Sequence, residues 1–270
     1  MVVFSNCKIN IGLYITEKRA DGYHNLETVF LPLPLYDVLE LHDASHTRIT
    51  VLGQLIPCST EDNIVYKAYR LLKQDFPNLP EVHFHLLKNI PAGAGLGAGS
   101  ANGAHALIAL NRKFELNLSE GQLIAYAAAL GSDCPFFIKN SPCFASGRGE
   151  QLEPLTLDLS AYQLIIVNPG IHISTPYAFS LIRPTPAPVN LKEVITLPVE
   201  KWRDTIINDF EEAIIKEHPE IEVIKNRLYA AGADFALMSG SGSTVYGLFK
   251  KDQEIVTDFP AHYYVKQLAL

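Results

Sequence analysis

The stretch Pro91-Ala92-Gly93-Ala94-Gly95-Leu96-Gly97-Ala98-Gly99-Ser100-Ala101-Asn102-Gly103 decides how this chain is read. Five of its thirteen residues are glycine, and a long run of helical character follows. Such a loop leaves backbone N–H groups unshielded by side chains. The helix behind it, predicted to open near Ser100, adds unpaired N–H groups and a partial positive charge at its N-terminus. Together these features make a receptor for phosphate oxygens, so the stretch points to a protein that handles a nucleotide.

Two common phosphate motifs are excluded. A P-loop needs Gly-Lys-Ser/Thr after its glycines, whereas Gly97 leads into Ala98-Gly99-Ser100 with no lysine. A dinucleotide fingerprint needs a different glycine spacing and an acidic residue about 20 positions on, and neither is present. The bland alternative is a flexible linker, but linkers are rarely framed by a strand and an amphipathic helix.

Working outward, residues 82–87 read as the strand that delivers the chain to the glycines. Upstream, Ile9, Ile11, Leu13 and Ile15 alternate within residues 8–16, as in a half-buried strand. Further strands are expected at 26–35, 37–41 and 48–52, with Pro32 and Pro34 arguing against a regular central strand. Residues 62–75 read as a helix with Ile64, Ala68, Leu71 and Leu72 on one face. Downstream, helices are expected at 100–112 and 119–130. Ser119 and Gln122 form a capping box for the second, and Gly131 stops it as a C′ glycine. The pattern restarts near residue 155, with a strand at 163–167 and a proline-rich loop at 183–198. Helices follow at 208–217 and at 219–231, the latter with Pro219 at its first position. Strands at 235–238, 244–249 and 262–266 complete the pattern. Each half runs from strands to helices, hence an α+β fold with two subdomains, 1–157 and 158–270.

At 270 residues, 48% hydrophobic and 19% charged, the chain can bury a full core. Its net charge of −7 argues against a nucleic-acid partner, which calls for a basic face, but a local pocket can still be positive. Four cysteines at irregular spacing, without Cys-x-x-Cys, fit buried thiols in a reducing cytoplasm better than disulfides or zinc. No leader pattern is evident, and no apolar run approaches the roughly 18 residues of a membrane span. The expectation is a soluble cytoplasmic protein.

Other candidate sites carry ordinary alternatives. Ser239-Gly240-Ser241-Gly242-Ser243 is either a strand-joining turn or a second phosphate loop that could grip the other side of a triphosphate. Asp133 is either a turn carboxylate or a functional one, and Lys8 either a solvated strand-start lysine or a partner for it. Tyr23 and His24 follow a turn glycine and either pack the loop or stack on and hydrogen-bond a base. His83 and His85 share a strand face without an apparent third metal ligand, which favours a surface role.

Several of these segments resemble the GHMP kinases. Residues 91–101 are similar to the family's central motif, and Met238-Ser239-Gly240-Ser241-Gly242-Ser243-Thr244-Val245 to its C-terminal motif. Within the family, Lys8-Ile9-Asn10-Ile11-Gly12-Leu13-Tyr14-Ile15, Arg19-Ala20-Asp21-Gly22-Tyr23-His24-Asn25-Leu26-Glu27-Thr28 and Gly131-Ser132-Asp133-Cys134-Pro135-Phe136-Phe137 resemble the branch that phosphorylates a cytidine-diphosphate alcohol. Ala101 stands where the family usually has a second loop serine, so that hydroxyl is missing, and Ser132 replaces a usual alanine.

The resemblance implies an N-terminal part like ribosomal protein S5 domain 2 and a ferredoxin-like C-terminal part. It implies transfer of the γ-phosphoryl of ATP, with Mg²⁺, to a small-molecule hydroxyl. By the same resemblance Asp133 is the base and Lys8 lies beside it, where an ammonium would favour the carboxylate. Asn10 and Thr175 touch substrate, Tyr23 stacks on the cytosine, His24 reads its edge and Phe179 closes its other face. ATP lies along Pro91, Ala92, Gly93, Ala94, Gly95, Leu96, Gly97, Ala98, Gly99 and Ser100, with Asn63 on the adenine side and Ser239, Gly240, Ser241 and Gly242 contributing. Two other readings stay open: a homoserine- or mevalonate-type kinase, and a non-catalytic nucleotide-binding protein on the same scaffold.

Overall fold

The computed structural model describes residues 1–56 and 58–270. In chain order it contains β1 (Val2–Lys18), β2 (His24–Asp43), β3 (Arg48–Gly53), α1 (Ile64–Asp75), β4 (Val82–Lys88), α2 (Ala98–Lys113), α3 (Glu120–Leu130), α4 (Cys134–Lys139), β5 (Cys143–Ser146) and β6 (Gln151–Pro154). Then come β7 (Tyr162–Asn168), α5 (Thr175–Ser180), α6 (Leu191–Val194), α7 (Asp209–Glu217), α8 (Glu220–Ala230), β8 (Phe235–Met238), β9 (Val245–Lys250) and β10 (Tyr264–Ala269). The mixture of helices and sheets is the expected α+β class. The chain forms two compact units. The first comprises Met1–Cys7, Leu35–Ala92 and Gly97–Ser141, the second Lys8–Pro34, Gly93–Leu96 and Pro142–Leu270.

In the first unit β4 pairs antiparallel with residues 38–43 of β2 and parallel with β3. Helix α1 starts where the Asn63 side chain accepts from the Val65 N–H at 3.0 Å. It buries Val65, Ala68, Tyr69 and Leu72, joining Leu39, Leu41, Phe84, Leu107 and Leu110 in one core. Each such large side chain contributes about 1.5–3 kcal/mol on leaving water, which fixes the helix face. The capping box at Ser119 and Gln122 is present in full.

The second unit carries an antiparallel sheet in the order β10-β7-β9-β8. Its core joins Ile165, Val167, Met238 and Val245 to Phe210, Ile214, Ile221 and Leu228 of α7 and α8. Here also β5 pairs with β6 and with residues 28–30 of β2. No disulfide joins the cysteines, and among the described residues no helix is long and apolar enough to cross a membrane.

Several boundaries differ from expectation. β2 runs unbroken through Pro32 and Pro34. These prolines fall between the stretch registered with β5 and the one registered with β4, so on that side their missing N–H groups cost no ladder bond. Helix α2 begins two residues before Ser100, because Gly97 takes φ +65° and turns the chain there. Gly131 ends α3 with φ 169°, an extended conformation rather than the left-handed one of a C′ glycine. Pro219 caps α8 from outside instead of occupying its first position. The 183–198 loop contains the short α6, started by the Asn190 side chain accepting from Lys192 N–H. Helices α4 and α5 and strands β5 and β6 were too short to announce themselves by periodicity.

Ser119→Ala removes one half of the capping box and is expected to lower unfolding stability by about 1 kcal/mol, whereas Ser119→Asp retains an acceptor and most of the stability. Denaturant midpoints of the two variants measure the difference.

Candidate active site

The glycine segment alternates. Ala94, Leu96 and Ala98 are buried, while Gly93 and Gly99 are exposed and Gly95 and Gly97 half-buried. The methyl and isobutyl groups therefore anchor the loop, and only its backbone can face a ligand. Gly93, Gly95 and Gly97 all take positive φ, which glycine alone adopts without strain. Helix α2 receives no side-chain cap from Gly97 and has no acidic residue in its first turn. Its leading N–H groups and the positive end of its dipole are thus uncompensated by side chains, as an anion site requires.

In the second unit the Ser239–Gly242 segment touches Gly95 directly. A Cβ on Gly95 would lie 2.0 Å from the Ser239 carbonyl oxygen and 3.1 Å from that of Gly242. The buried Ser239 hydroxyl donates to the Gly95 carbonyl at 2.8 Å and accepts from the Asn10 N–H at 3.2 Å. Thr244 N–H donates to the Ala94 carbonyl at 3.3 Å. At this point the two glycine-rich segments are one wall and do not stand on opposite sides of a gap.

That wall is held from behind by residues the sequence did not single out. Asn208 Nδ2 donates to the carbonyls of Met238 and Gly240, both at 2.8 Å, while its Oδ1 caps α7 through Phe210 N–H. The buried Glu211 accepts from Met238 N–H at 3.0 Å and pairs with Lys225 at 2.5 Å. An Asn just ahead of an acidic helix start signals a cap, and nothing in its spacing reveals that it also grips a distant turn.

Lys8 is buried, which settles its ambiguity against the solvated alternative. Its Nζ donates to Asn10 Oδ1 at 2.6 Å and lies 4.5 Å from the centre of the Phe30 ring. Asn10 Nδ2 donates to Thr28 Oγ1 at 2.9 Å, and the Thr28 hydroxyl passes the chain on to the Gly12 carbonyl at 2.5 Å. The Asn10 carbonyl accepts from the Tyr246 hydroxyl at 2.9 Å. This hydrogen-bonded row fixes the ammonium's position, and Thr28 belongs to it although it was not a candidate.

His24 and Phe179 stack, ring centres 4.9 Å apart and 16° from parallel. Phe179 is itself braced edge-on by Phe210 at 5.0 Å. Burial, and secondarily the charge of Lys18, hold the His24 imidazole below its ordinary pKa, so at neutral pH it offers one donor and one acceptor. Tyr23 is 55% exposed, leaving ring surface open beside the Arg148 guanidinium, 4.9 Å from its centre. Asp21 Oδ1 fixes the Tyr23 N–H at 3.1 Å. Thr175 opens α5, and its hydroxyl meets that of Ser241 at 3.4 Å.

In the first unit Asp133 occupies the position before α4 without spending its carboxylate on a cap. Its neighbour Cys134 is fully buried; burial pushes the thiol up to about 12, against a hydrogen bond from Ser100. Asn63 lies at the head of α1, its Oδ1 used as the cap. The rings of His83 and His85 lie 3.8 Å apart on the sheet, and among the described residues no group of three or more His, Cys, Asp or Glu could hold a metal ion.

Residues 63–141 match the GHMP kinases N terminal domain, and residues 199–265 match GHMP kinases C terminal. The chain belongs to the GHMP kinases. Among its relatives in this family, a 4-diphosphocytidyl-2-C-methyl-D-erythritol kinase from Bacteroides fragilis is 50% identical over 266 residues, covering 97% of each chain. Another of that name, from Bacteroides thetaiotaomicron, is 49% identical over 256 residues, covering 93% of each. The crystal structure of a 4-(cytidine 5'-diphospho)-2C-methyl-D-erythritol kinase superposes with TM-score 0.78 at 31% identity, covering 92% of this GHMP kinase and 90% of that chain. The mevalonate kinase of Methanococcus jannaschii shares the fold, with TM-score 0.68 at 11% identity over 100% and 98% of the two chains.

The wall at Gly95 admits no side chain. Gly95→Ala is expected to yield little folded protein, since both the positive φ and two carbonyl oxygens oppose it. At Gly99 an added Cβ meets nothing within 4 Å and the residue is helical, so Gly99→Ala is expected to leave stability unchanged or raise it by up to about 1 kcal/mol. Soluble yield and thermal midpoints check both.

Proposed function

We propose that this kinase transfers the γ-phosphoryl group of ATP to the 2-hydroxyl of 4-diphosphocytidyl-2-C-methyl-D-erythritol, a step in the non-mevalonate route to isoprenoid precursors. The observation that carries the substrate is the aromatic group of Tyr23, His24 and Phe179. Mevalonate and homoserine have no base for such a group to stack on. The cytosine would lie between the Tyr23 and Phe179 rings, taking the place of His24 against Phe179, with the neutral imidazole turned to bond its polar edge. Thr175 and Asn10 would contact the remainder of the substrate.

In the reaction the 2-hydroxyl oxygen bonds to the γ-phosphorus as the bridge to the β-phosphate breaks, and the hydroxyl proton passes to the Asp133 carboxylate. Lys8, locked by Asn10, would hold the hydroxyl. Phosphoryl transfer depends chiefly on position and charge, which suits such a rigid row. The phosphates would lie on the backbone of residues 93–100 and the head of α2, with Ser239–Gly242 behind. The adenine would lie toward Asn63, whose Nδ2 is the donor not used in its cap. Mg²⁺ is typically held by phosphates, water and one or two carboxylates rather than by an all-protein cage. It would arrive with the nucleotide and neutralise charge on its phosphates. Four thiols, three of them buried and none in a disulfide, support action in the cytoplasm.

The test is ADP release from purified protein with Mg-ATP and a panel of alcohols. Turnover is expected with the cytidylyl alcohol alone; turnover of mevalonate or homoserine without it overturns the reading. Asp133→Asn is expected to cut kcat by about 10²–10⁴ while ATP still binds. Phe179→Ala should raise KM for the alcohol about tenfold or more, through a lost stacking worth roughly 1–3 kcal/mol, with KM for ATP unchanged. Gly99→Ala, neutral for folding, should raise KM for ATP.

A further inference from the structure

We propose that Asp37 is a positioning residue for the phosphoryl donor, a single buried carboxylate that fixes both ends of the glycine loop. Its side chain is 0% exposed and that of Lys88 only 1%, so neither reaches a ligand. Asp37 Oδ1 accepts the N–H groups of Asn89 at 2.8 Å and Ile90 at 3.0 Å, the last two residues before Pro91. Its Oδ2 accepts from Lys88 Nζ and from Asn102 Nδ2, the latter at 3.0 Å. Asn102 lies in the second turn of α2, just past the loop. Its Oδ1 accepts from Lys88 Nζ at 3.2 Å, and its Nδ2 also donates to Ser5 Oγ at 3.0 Å.

All four acceptor positions of the carboxylate are thus taken, two by the loop's entry and one by the helix that receives its exit. A buried carboxylate near the head of α2 would by itself oppose phosphate. Lys88 cancels that charge, so the dipole of α2 stays available. Burial pushes the Lys88 pKa down, and the carboxylate beside it opposes that shift. A core ion pair with a purely structural role has no need to place every partner at the root of one loop. The inference rests on the proposal that this loop holds ATP.

The experiment uses the neutral pair Asp37→Asn/Lys88→Met, which leaves no unpaired buried charge, with Asn102→Ala as a second variant that keeps the ion pair. Calorimetric titration with ADP, without any alcohol, is expected to show Kd raised at least tenfold in both. Amide hydrogen exchange of residues 89–100 should quicken while that of α1 and β4 is unchanged. KM for the cytidylyl alcohol should stay within about twofold. ADP affinity and exchange at wild-type values in folded variants overturn the inference. If the double variant does not fold, wild-type ADP affinity in folded Asn102→Ala overturns it equally. If ADP binds the wild type with no alcohol of the panel turning over, the substrate reading fails while the inference stands or falls on its own binding data.

Discussion

Two main chains meet at Gly95 with no room for a carbon atom between them, and the rest of the second unit is organised around that contact. The Ser239 hydroxyl closes it from one side, and Asn10 N–H reads the same hydroxyl from the other. Asn208 and Glu211 then hold the Met238–Gly240 backbone, and they sit where they do because α7 begins there. The Ser239–Asn10, Asn208–Met238 and Glu211–Met238 bonds are buried, so losing a partner there would leave a polar group unsatisfied at about 1–3 kcal/mol. Close backbone approach of this kind removes side chains from a surface and leaves N–H groups as its chemistry, which is what a phosphate site needs.

Buried polar rows recur through the molecule. Lys8, Asn10, Thr28 and the Gly12 carbonyl form one, and Lys88, Asp37, Asn102 and Ser5 another. In both a lysine that sequence statistics would place in water is buried, and in both an asparagine orients it. The carboxamide suits the task because it donates and accepts from one planar group, leaving a single arrangement that satisfies all members.

Much of this was legible in the chain. Apolar periodicity located β1, α1 and β4, and the Ser119 capping box marked the start of α3 to the residue. The glycine stretch and the residues around Lys8, Tyr23 and Asp133 carried the family likeness. What was not legible depended on partners distant in sequence. β2 passes through two prolines because its neighbours change along its length, and no local rule reports that. Asp37, Thr28, Asn208 and Glu211 look like ordinary strand and helix-start residues until their partners, 16 to 65 positions away, are in place. His24 and Phe179, 155 positions apart, show the same from the other side: the likeness assigned each a role, and only the fold reveals that they stack on one another.

The burial of Cys134 has a chemical consequence of its own. A thiol pushed up to about 12 is protonated at every physiological pH, and the thiolate is the species that alkylating agents and peroxides attack. The sulfur next to Asp133 is therefore inert, and Cys7 and Cys143 are shielded by burial, while Cys58 is exposed. Electrophiles meet this enzyme at the exposed Cys58 sulfur, in the segment before α1.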